Sequence, residues 1–199
     1  MFNPEERPDS VLFHLARYRF VGRLLNKSDK VLDIGCGIGT GTHYLKDFCS
    51  SVIGIDVDSE AVIKAKSLYE NDDIRFHAQD AEYLLYDIGC FDGHWWMDYK
   101  SPNVITSIDV IEHLEHPERF VEDVYEMLPE SGVFICGTPR KQDIQLRNSW
   151  HHHEFEPDEF FELLESYFPR VFRFGMNEET VSVFNVDTCW YLWGVCIKL

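Results

Sequence analysis

Short apolar runs alternate with longer amphipathic segments along most of the chain, which is the pattern of strands and helices that follow one another in turn. The apolar runs predict strands at residues 30–34, 51–55, 74–77, 104–108 and 133–137. Helical spacing of apolar positions predicts helices at residues 11–25, 42–48, 59–69, 117–128 and 157–167. Two later apolar runs, at residues 171–174 and 190–197, have no long helix between them and are expected to pair antiparallel. We therefore predict an α/β fold with three layers, in which helices cover both faces of a mostly parallel, seven-stranded sheet that ends in an antiparallel hairpin.

Local start signals agree with these helices. Ser10 and Ser59 are candidate N-caps, and Pro117 and Pro157 suit the first turn of a helix. The chain has 199 residues and contains no internal repeat or linker-like segment. We therefore expect a single domain over residues 1–199.

A glycine-rich loop follows the first predicted strand, with glycines at positions 35, 37, 39 and 41. Glycine permits backbone angles that a side chain would block, and it lets a ligand approach the backbone closely. The helix predicted after the loop would point its positive end at such a ligand. Strand, glycine loop and helix together predict the nucleotide-sized site of an open α/β sheet.

Acidic residues recur where the predicted strands end, at Asp33, Asp56, Asp80 and Asp109. The carboxyl ends of parallel strands meet at one edge of the sheet, which is where ligands bind in such folds. Asp56 follows the second strand about 20 residues beyond the glycine loop, the position of an acid that binds ribose hydroxyls. We expect the four carboxylates to surround one site.

The spacing of the glycines helps to choose between two classes of cofactor. A dinucleotide site requires G-x-G-x-x-G, whereas residues 35–40 read Gly-Cys-Gly-Ile-Gly-Thr. An acid just before the loop, Asp33, is also poorly suited to a pyrophosphate and better suited to an ammonium or sulfonium group. These observations disfavour an NAD(P)-linked oxidoreductase.

Five segments, in order along the chain, resemble the motifs of class I S-adenosylmethionine-dependent methyltransferases. They read Val-Leu-Asp-Ile-Gly-Cys-Gly-Ile-Gly-Thr-Gly (31–41), Gly-Ile-Asp-Val-Asp-Ser-Glu-Ala-Val (54–62), Ala-Gln-Asp-Ala (78–81), Thr-Ser-Ile-Asp-Val-Ile-Glu-His-Leu (106–114) and Leu-Pro-Glu-Ser-Gly-Val-Phe-Ile-Cys-Gly-Thr-Pro (128–139). The fourth is most similar to enzymes that methylate quinone precursors and sugars. The resemblance implies a Rossmann-like methyltransferase that uses S-adenosylmethionine and methylates an oxygen or nitrogen atom of a small metabolite.

The same resemblance implies a role for each matching residue. Those that would contact the methionine part of the cofactor are Gly35, Cys36, Gly37, Gly39, Asp109 and Val110, with Asp33 orienting the amino group directly or through water. Those that would hold the adenosine are Asp56 and its neighbour Val57 at the ribose, and Asp80 and Ala81 at the adenine. Residues 1–28 would form a helical cap over the site, from which Arg17 and Tyr18 could reach the cofactor carboxylate.

Two histidines are candidates for a proton acceptor in catalysis. His113 follows the fourth strand, and His151 begins the run His-His-His-Glu-Phe before the last predicted helix. A supporting role is the first interpretation for both, and a catalytic base is the second. A metal site in residues 151–154 is the last, because adjacent residues of one loop rarely converge on one ion. We therefore predict no metal.

The bulk properties limit the partners. A formal net charge of −17 argues against nucleic acid and against anionic membranes. Six cysteines without a C-x-x-C pair, and an N-terminus unlike a signal peptide, favour the cytoplasm. The chain also lacks an apolar run long enough to cross a bilayer.

The acceptor would be recognised by the loops at residues 1–10, 87–102 and 139–156. Arg140, Lys141 and Arg147 make the last of these locally basic, which suggests an anionic acceptor such as a nucleotide-linked sugar. The aromatic segment 91–99 either covers a core edge or forms a lid or dimer contact, so a monomer and a homodimer both stay open. The alternative to an enzyme is a catalytically silent, cofactor-binding partner subunit of the same fold.

Overall fold

The structure is a computed structural model, which describes residues 8–85, 102–141 and 151–199. The predicted roles of the aromatic segment 91–99 and of Arg147 lie outside these residues.

Eight strands form one sheet within the described ranges, rather than the predicted seven. They are β1 Lys30–Ile34, β2 Ser51–Asp56, β3 Ile74–Ala78, β4 Val104–Ile108, β5 Val133–Pro139, β6 Arg170–Asn177, β7 Thr180–Ser182 and β8 Tyr191–Ile197. Their order across the sheet is β3-β2-β1-β4-β5-β8-β6-β7. The additional strand, β7, is three residues long and pairs only with β6 at the edge of the sheet.

The direction of the strands confirms the predicted α/β class. Strands β1 to β5 pair in parallel with one another, whereas β8 pairs antiparallel with both β5 and β6. The two late apolar runs therefore pair with each other as expected. The central parallel strands are almost wholly buried, which explains why they stand out in the sequence as continuous apolar runs.

Five α-helices lie in the described part of the chain. They are α1 Pro8–Leu24, α2 Thr40–Leu45, α3 Ser59–Tyr69, α4 Pro117–Met127 and α5 Pro157–Tyr167. Both predicted prolines occupy the first turn of their helix. Of the described helices, none combines the length and the apolar content needed to cross a bilayer.

Both predicted serine caps are wrong. Helix α1 begins at Pro8, so Ser10 lies inside it. The cap of α3 is Asp58, whose carboxylate accepts hydrogen bonds from the amides of Glu60 and Ala61. The Asp side chain one position before Ser59 thus satisfies the amides at the helix start.

Two apolar clusters fill the space between the sheet and its helices. Phe120 of α4 and Phe160 of α5 belong to the cluster on one face. Tyr18 of α1, Leu45 of α2 and Val62 of α3 belong to the cluster on the other. Helices on both faces of one sheet make the predicted three-layer, Rossmann-like sandwich.

The carboxyl ends of β1 to β4 meet at one edge of the sheet. The chain runs outward from β1 through β2 to β3 and then returns to place β4 on the other side of β1. This reversal opens a crevice above the ends of β1 and β4, the usual ligand position in such sheets. A ligand site is therefore expected among the loops that follow these strands.

Candidate active site

An open cleft of about 530 Å³ lies at this edge of the sheet. Its walls include eight residues that the sequence singles out: Gly35, Asp56, Val57, Asp80, Ala81, Asp109, Val110 and His113. The segments that supply them follow four different strands. Part of the predicted constellation therefore shares one surface, whereas Asp33, Cys36, Gly37 and Gly39 do not line the cleft.

The glycines of the loop have distinct surroundings. At Gly35, with φ of 80°, an added Cβ would lie 2.3 Å from a methyl carbon of Val110. At Gly39, with φ of 83°, it would lie 2.7 Å from the ring of Phe76. Gly37 has φ of 52° and no atom within 4 Å of that position, so this is the glycine with open space beside its backbone.

Asp56 joins the second strand to the glycine loop. One carboxylate oxygen accepts a hydrogen bond from the amide of Gly37 at 2.7 Å, and the other accepts from the amide of Asp58 at 2.9 Å. These bonds fix the carboxylate at the wall of the cleft, next to the exposed side chain of Val57. A fixed acceptor in this position suits a vicinal diol.

Asp33 lies behind the glycine loop. It is fully buried, and its carboxylate accepts hydrogen bonds from the hydroxyls of Thr42 at 2.6 Å and Tyr18 at 3.2 Å. Burial raises the pKa of Asp33 to about 7, although both hydrogen bonds oppose that shift. The geometry gives Asp33 and Tyr18 a supporting position, and their predicted contacts with a cofactor stay predictions.

Two residues of this region had no predicted role. Thr42 donates to Asp33, as described above. Gly41 lies against the ring of Tyr18, where an added Cβ would approach a ring carbon to 2.0 Å. The fourth glycine of the run thus allows α1 to pack closely on α2.

Cys36 is buried, and burial raises the pKa of its thiol, so it has the character of a core residue.

Asp109 connects the end of β4 to the helical cap. Its carboxylate is paired with the guanidinium of Arg17, which also lies over the ring of Tyr191 at 4.1 Å from the centroid. Asp109 has φ of 57°, a left-handed conformation that is uncommon outside glycine and is often found at functional sites. The charge of Arg17 is therefore paired with that of Asp109. The contact of Arg17 with a cofactor carboxylate remains a prediction.

Short turns form the part of the cleft that contains Asp80 and Ala81. Asp80 accepts a hydrogen bond from the amide of Glu82 at 2.9 Å and caps the turn Ala81–Tyr83. Glu82 in turn accepts hydrogen bonds from the amides of Glu115 and His116 across the cleft. Residues 79–83 and 109–116 therefore form opposite walls that are tied together.

The two candidate catalytic histidines lie side by side. The rings of His113 and His151 are 4.9 Å apart between centroids and nearly perpendicular. Burial, followed by the neighbouring His113, lowers the pKa of His151, whose Nδ1 lies 3.5 Å from the carboxylate of Glu154. The sequence alone could not bring together residues from two separate loops.

Glu112 joins this pair and was not predicted from the sequence. It is buried, and Thr138 donates a hydrogen bond to its carboxylate at 3.0 Å. Burial, and next the charge of Asp109, raises the pKa of Glu112 to about 8. One potential ligand atom from each of Glu112, His113 and His151 lies within 4.8 Å of the other two. The only signal in the sequence was the adjacency of Glu112 and His113 in the fourth motif.

The other histidines of the run 151–153 separate from this pair. His153 is exposed and lies 2.8 Å from the carboxylate of Glu159. His152 lines the cleft instead. In the described ranges, the cluster with metal-ligating potential contains His151 but neither His152 nor His153. The residues 151–154, considered from the sequence as possible metal ligands, therefore do not form this cluster by themselves. The cluster combines His151 with Glu112 and His113.

Comparison with known proteins identifies relatives of this arrangement. A family model described as "Methyltransferase domain" matches residues 9–173. A protein of Mycolicibacterium smegmatis, named "Probable S-adenosylmethionine-dependent methyltransferase", is 31% identical over 90% of this chain and 62% of its own length. The chain spans between 44% and 62% of the length of the curated relatives it matches first.

Solved structures agree at the level of the fold. A methyltransferase of Haloferax volcanii, solved in complex with the Trm112 methyltransferase activator, is similar with a TM-score of 0.74 at 16% identity, covering 96% of this chain and 92% of the other. The N-methyltransferase NodS of Bradyrhizobium japonicum is similar with a TM-score of 0.67 at 20% identity, covering 94% and 96%.

Proposed function

Because the chain belongs to the class I S-adenosylmethionine-dependent methyltransferases, we propose that it transfers a methyl group to an oxygen or nitrogen atom of a small metabolite. The observation that carries this proposal is the cleft at the carboxyl edge of the sheet. It combines the glycine loop at Gly35 with the turn at Asp80 and with the carboxylate of Asp56, which the amide of Gly37 holds in place.

The walls of the cleft suggest how the cofactor would be held. Asp56 would accept hydrogen bonds from the ribose hydroxyls, with Val57 beside the adenine ring. Asp80 would accept from the adenine amino group, and the amide of Ala81 would donate to the ring. The loop around Gly37 would contact the methionine part, which brings the methyl group toward Asp109 and Val110.

The transfer is an in-line displacement at the methyl carbon. A lone pair of the acceptor forms the new bond, and the electron pair of the carbon–sulfur bond stays on the sulfur, which gives S-adenosylhomocysteine. The protein contributes by aligning the two partners and excluding water. A hydroxyl acceptor must also lose a proton, and His113, which lines the cleft, or its neighbour His151 would accept it.

The small-molecule acceptor rests on two observations. The net charge of −17 disfavours nucleic acid, and a structural neighbour, NodS, is named an N-methyltransferase. An anionic acceptor is the finer proposal and has less support, because Lys141 is paired with Glu156 at 3.6 Å. Arg140 likewise donates to the backbone carbonyl of Asp187.

Incubation with S-adenosylmethionine and a fractionated metabolite pool tests the proposal. We expect release of S-adenosylhomocysteine together with a methylated product that mass spectrometry identifies. Tight binding of the cofactor without release in any fraction would favour the silent partner subunit instead. Purified sugar nucleotides form a separate arm, and undetectable binding of these compounds would remove the anionic-acceptor proposal.

A further inference from the structure

We propose that Glu112, His113 and His151 form a binding site for a divalent transition-metal ion, with zinc as the expected occupant. The three side chains come from the turn after β4 and from the segment before α5. One nitrogen or oxygen atom of each lies within 4.8 Å of those of the other two. The fold thus brings His151 to the adjacent pair Glu112 and His113.

The chemistry of this set matches zinc. Two imidazoles and one carboxylate are a recognised three-ligand set of catalytic zinc sites, which leave a fourth position for water or substrate. Tetrahedral bonds of about 2.0–2.1 Å would place the ligand atoms about 3.4 Å apart.

The outer contacts of the cluster are those of a metal site. Thr138 donates to the carboxylate of Glu112 at 3.0 Å, which orients it. The carboxylate of Glu154 lies 3.5 Å from Nδ1 of His151, so it can fix the tautomer and the ring orientation of that histidine. Carboxylates and hydroxyls in these positions orient the side chains that bind the metal directly, and they strengthen metal binding.

The burial of Glu112 is compatible with a bound cation. Its side chain is about 1% exposed, and an ionised carboxylate in such a place is costly unless a cation compensates it. The nearby Asp109 is already paired with Arg17. A divalent ion bound by Glu112 would compensate its carboxylate in the ionised form.

The position of the cluster relates it to the cleft. His113 contributes to both, so the ion would lie at the edge of the cleft near Asp109 and Val110. One consequence rests on the proposed function: the remaining coordination position would be available to an oxygen atom of the acceptor. Binding of the ion itself does not depend on methyl transfer.

Cobalt(II) titration of the chelator-treated 199-residue protein tests the site. Cobalt occupies zinc sites and shows visible absorption that reports on its ligands. We expect one equivalent to bind and zinc to displace it. His113→Ala and His151→Ala should each weaken cobalt binding by at least about tenfold, and Glu154→Gln by about tenfold. The matched control is His153→Ala, an exposed histidine of the same segment that lies beside Glu159, and it should bind cobalt as the unchanged protein does.

The proposal is overturned if the unchanged protein gives no cobalt absorption, or if the ligand variants bind cobalt as tightly as it does. Calorimetry with S-adenosylhomocysteine on the same variants separates this outcome from misfolding. A ligand variant that loses cobalt binding but still binds S-adenosylhomocysteine supports the metal site. If the protein binds S-adenosylhomocysteine but not cobalt, the metal site is wrong and the proposed function stands. If it binds cobalt but not S-adenosylhomocysteine, the proposed function is wrong and the metal site stands.

Discussion

Gly37 and Gly39 both have left-handed backbone angles, with φ of 52° and 83°, but only Gly39 is closely packed. An added Cβ at Gly39 would meet Phe76 and Ala65 at less than 3 Å, whereas at Gly37 it would meet no atom within 4 Å. Identical letters in one motif therefore serve different purposes. Packing explains Gly39, and the open space at Gly37 agrees with the predicted approach of a ligand.

Alanine substitutions separate the two purposes. Gly39→Ala should lower the free energy of unfolding by about 2–4 kcal/mol, because overpacking adds to left-handed strain. Gly37→Ala should lower it by only about 1–2 kcal/mol. Urea denaturation measures both values, and calorimetry with S-adenosylhomocysteine should show at least a tenfold loss of affinity in Gly37→Ala. Equal destabilisation by the two changes would contradict this assignment.

Asp33 gives the protein a predictable dependence on pH. Its pKa is about 7 in the folded protein and 3.8 as the ordinary value, so the native state keeps the proton where the unfolded state has lost it. The contribution of Asp33 to stability is therefore fully present below about pH 4 and is lost as the pH rises toward about 7. Above that window both states are ionised, and the contribution no longer changes.

Asp33→Asn isolates this contribution. Between about pH 4 and pH 7, the unfolding free energy of the unchanged protein should fall more steeply than that of the variant, by at most about 1.4 kcal/mol per pH unit. Urea denaturation at several pH values measures the difference. Glu112, whose pKa is also raised, remains in both proteins and cancels in the comparison. Parallel curves would show that Asp33 is already ionised when folded.

At the scale of elements, the start of α3 shows how a local contact decides a boundary. Strand β2 continues through Asp56, the chain turns at Val57, and Asp58 then supplies the side chain that caps the helix. Ser59 is already the first helical residue. Both side chains are capable N-caps, so the residue type alone could not choose between them.

Alanine at each of these two positions tests the observed cap. Asp58→Ala should lower the free energy of unfolding by about 1 kcal/mol, because two amides lose their acceptor. Ser59→Ala is the matched control and should change it by less than about 0.5 kcal/mol. Thermal or urea unfolding provides the measurement. The reverse order of the two effects would restore Ser59 as the cap.

Buried strands were predicted from the sequence more accurately than the partly exposed strand at the sheet edge. Strands β1 and β4 were predicted to the residue, because buried parallel strands leave continuous apolar runs. Strand β7 was missed, because three partly exposed residues at a sheet edge carry no such pattern. Helix α2 begins at Thr40, two residues before the predicted start, because the left-handed Gly39 leads directly into its first turn.

At the scale of the whole molecule, the order of the strands determines what can meet. Parallel strands place their ends at one edge, so the sequence could predict that Asp56, Asp80 and Asp109 share a cleft. It could not predict that Glu112 and His113 meet His151, because that contact depends on the paths of two loops after their strands end. The metal proposal therefore became possible only with the structure.

The cleft also explains why the sequence indicates the cofactor more clearly than the acceptor. The residues predicted to bind the cofactor follow strands whose ends are fixed by sheet hydrogen bonds. All three loops predicted to contact the acceptor, 1–10, 87–102 and 139–156, lie half or more outside the described residues. Identification of the acceptor therefore requires chemistry in solution.

Calorimetry with S-adenosylhomocysteine tests the central claim most directly. We expect about one equivalent to bind the unchanged protein, and NAD to give no comparable binding. Asp56→Ala should weaken binding by at least about tenfold, because a charged acceptor of ribose hydroxyls is lost. Asp72→Ala, at an exposed aspartate beside Arg75, should have no effect. Absence of S-adenosylhomocysteine binding, or equal binding of NAD, would contradict the assignment of this cleft.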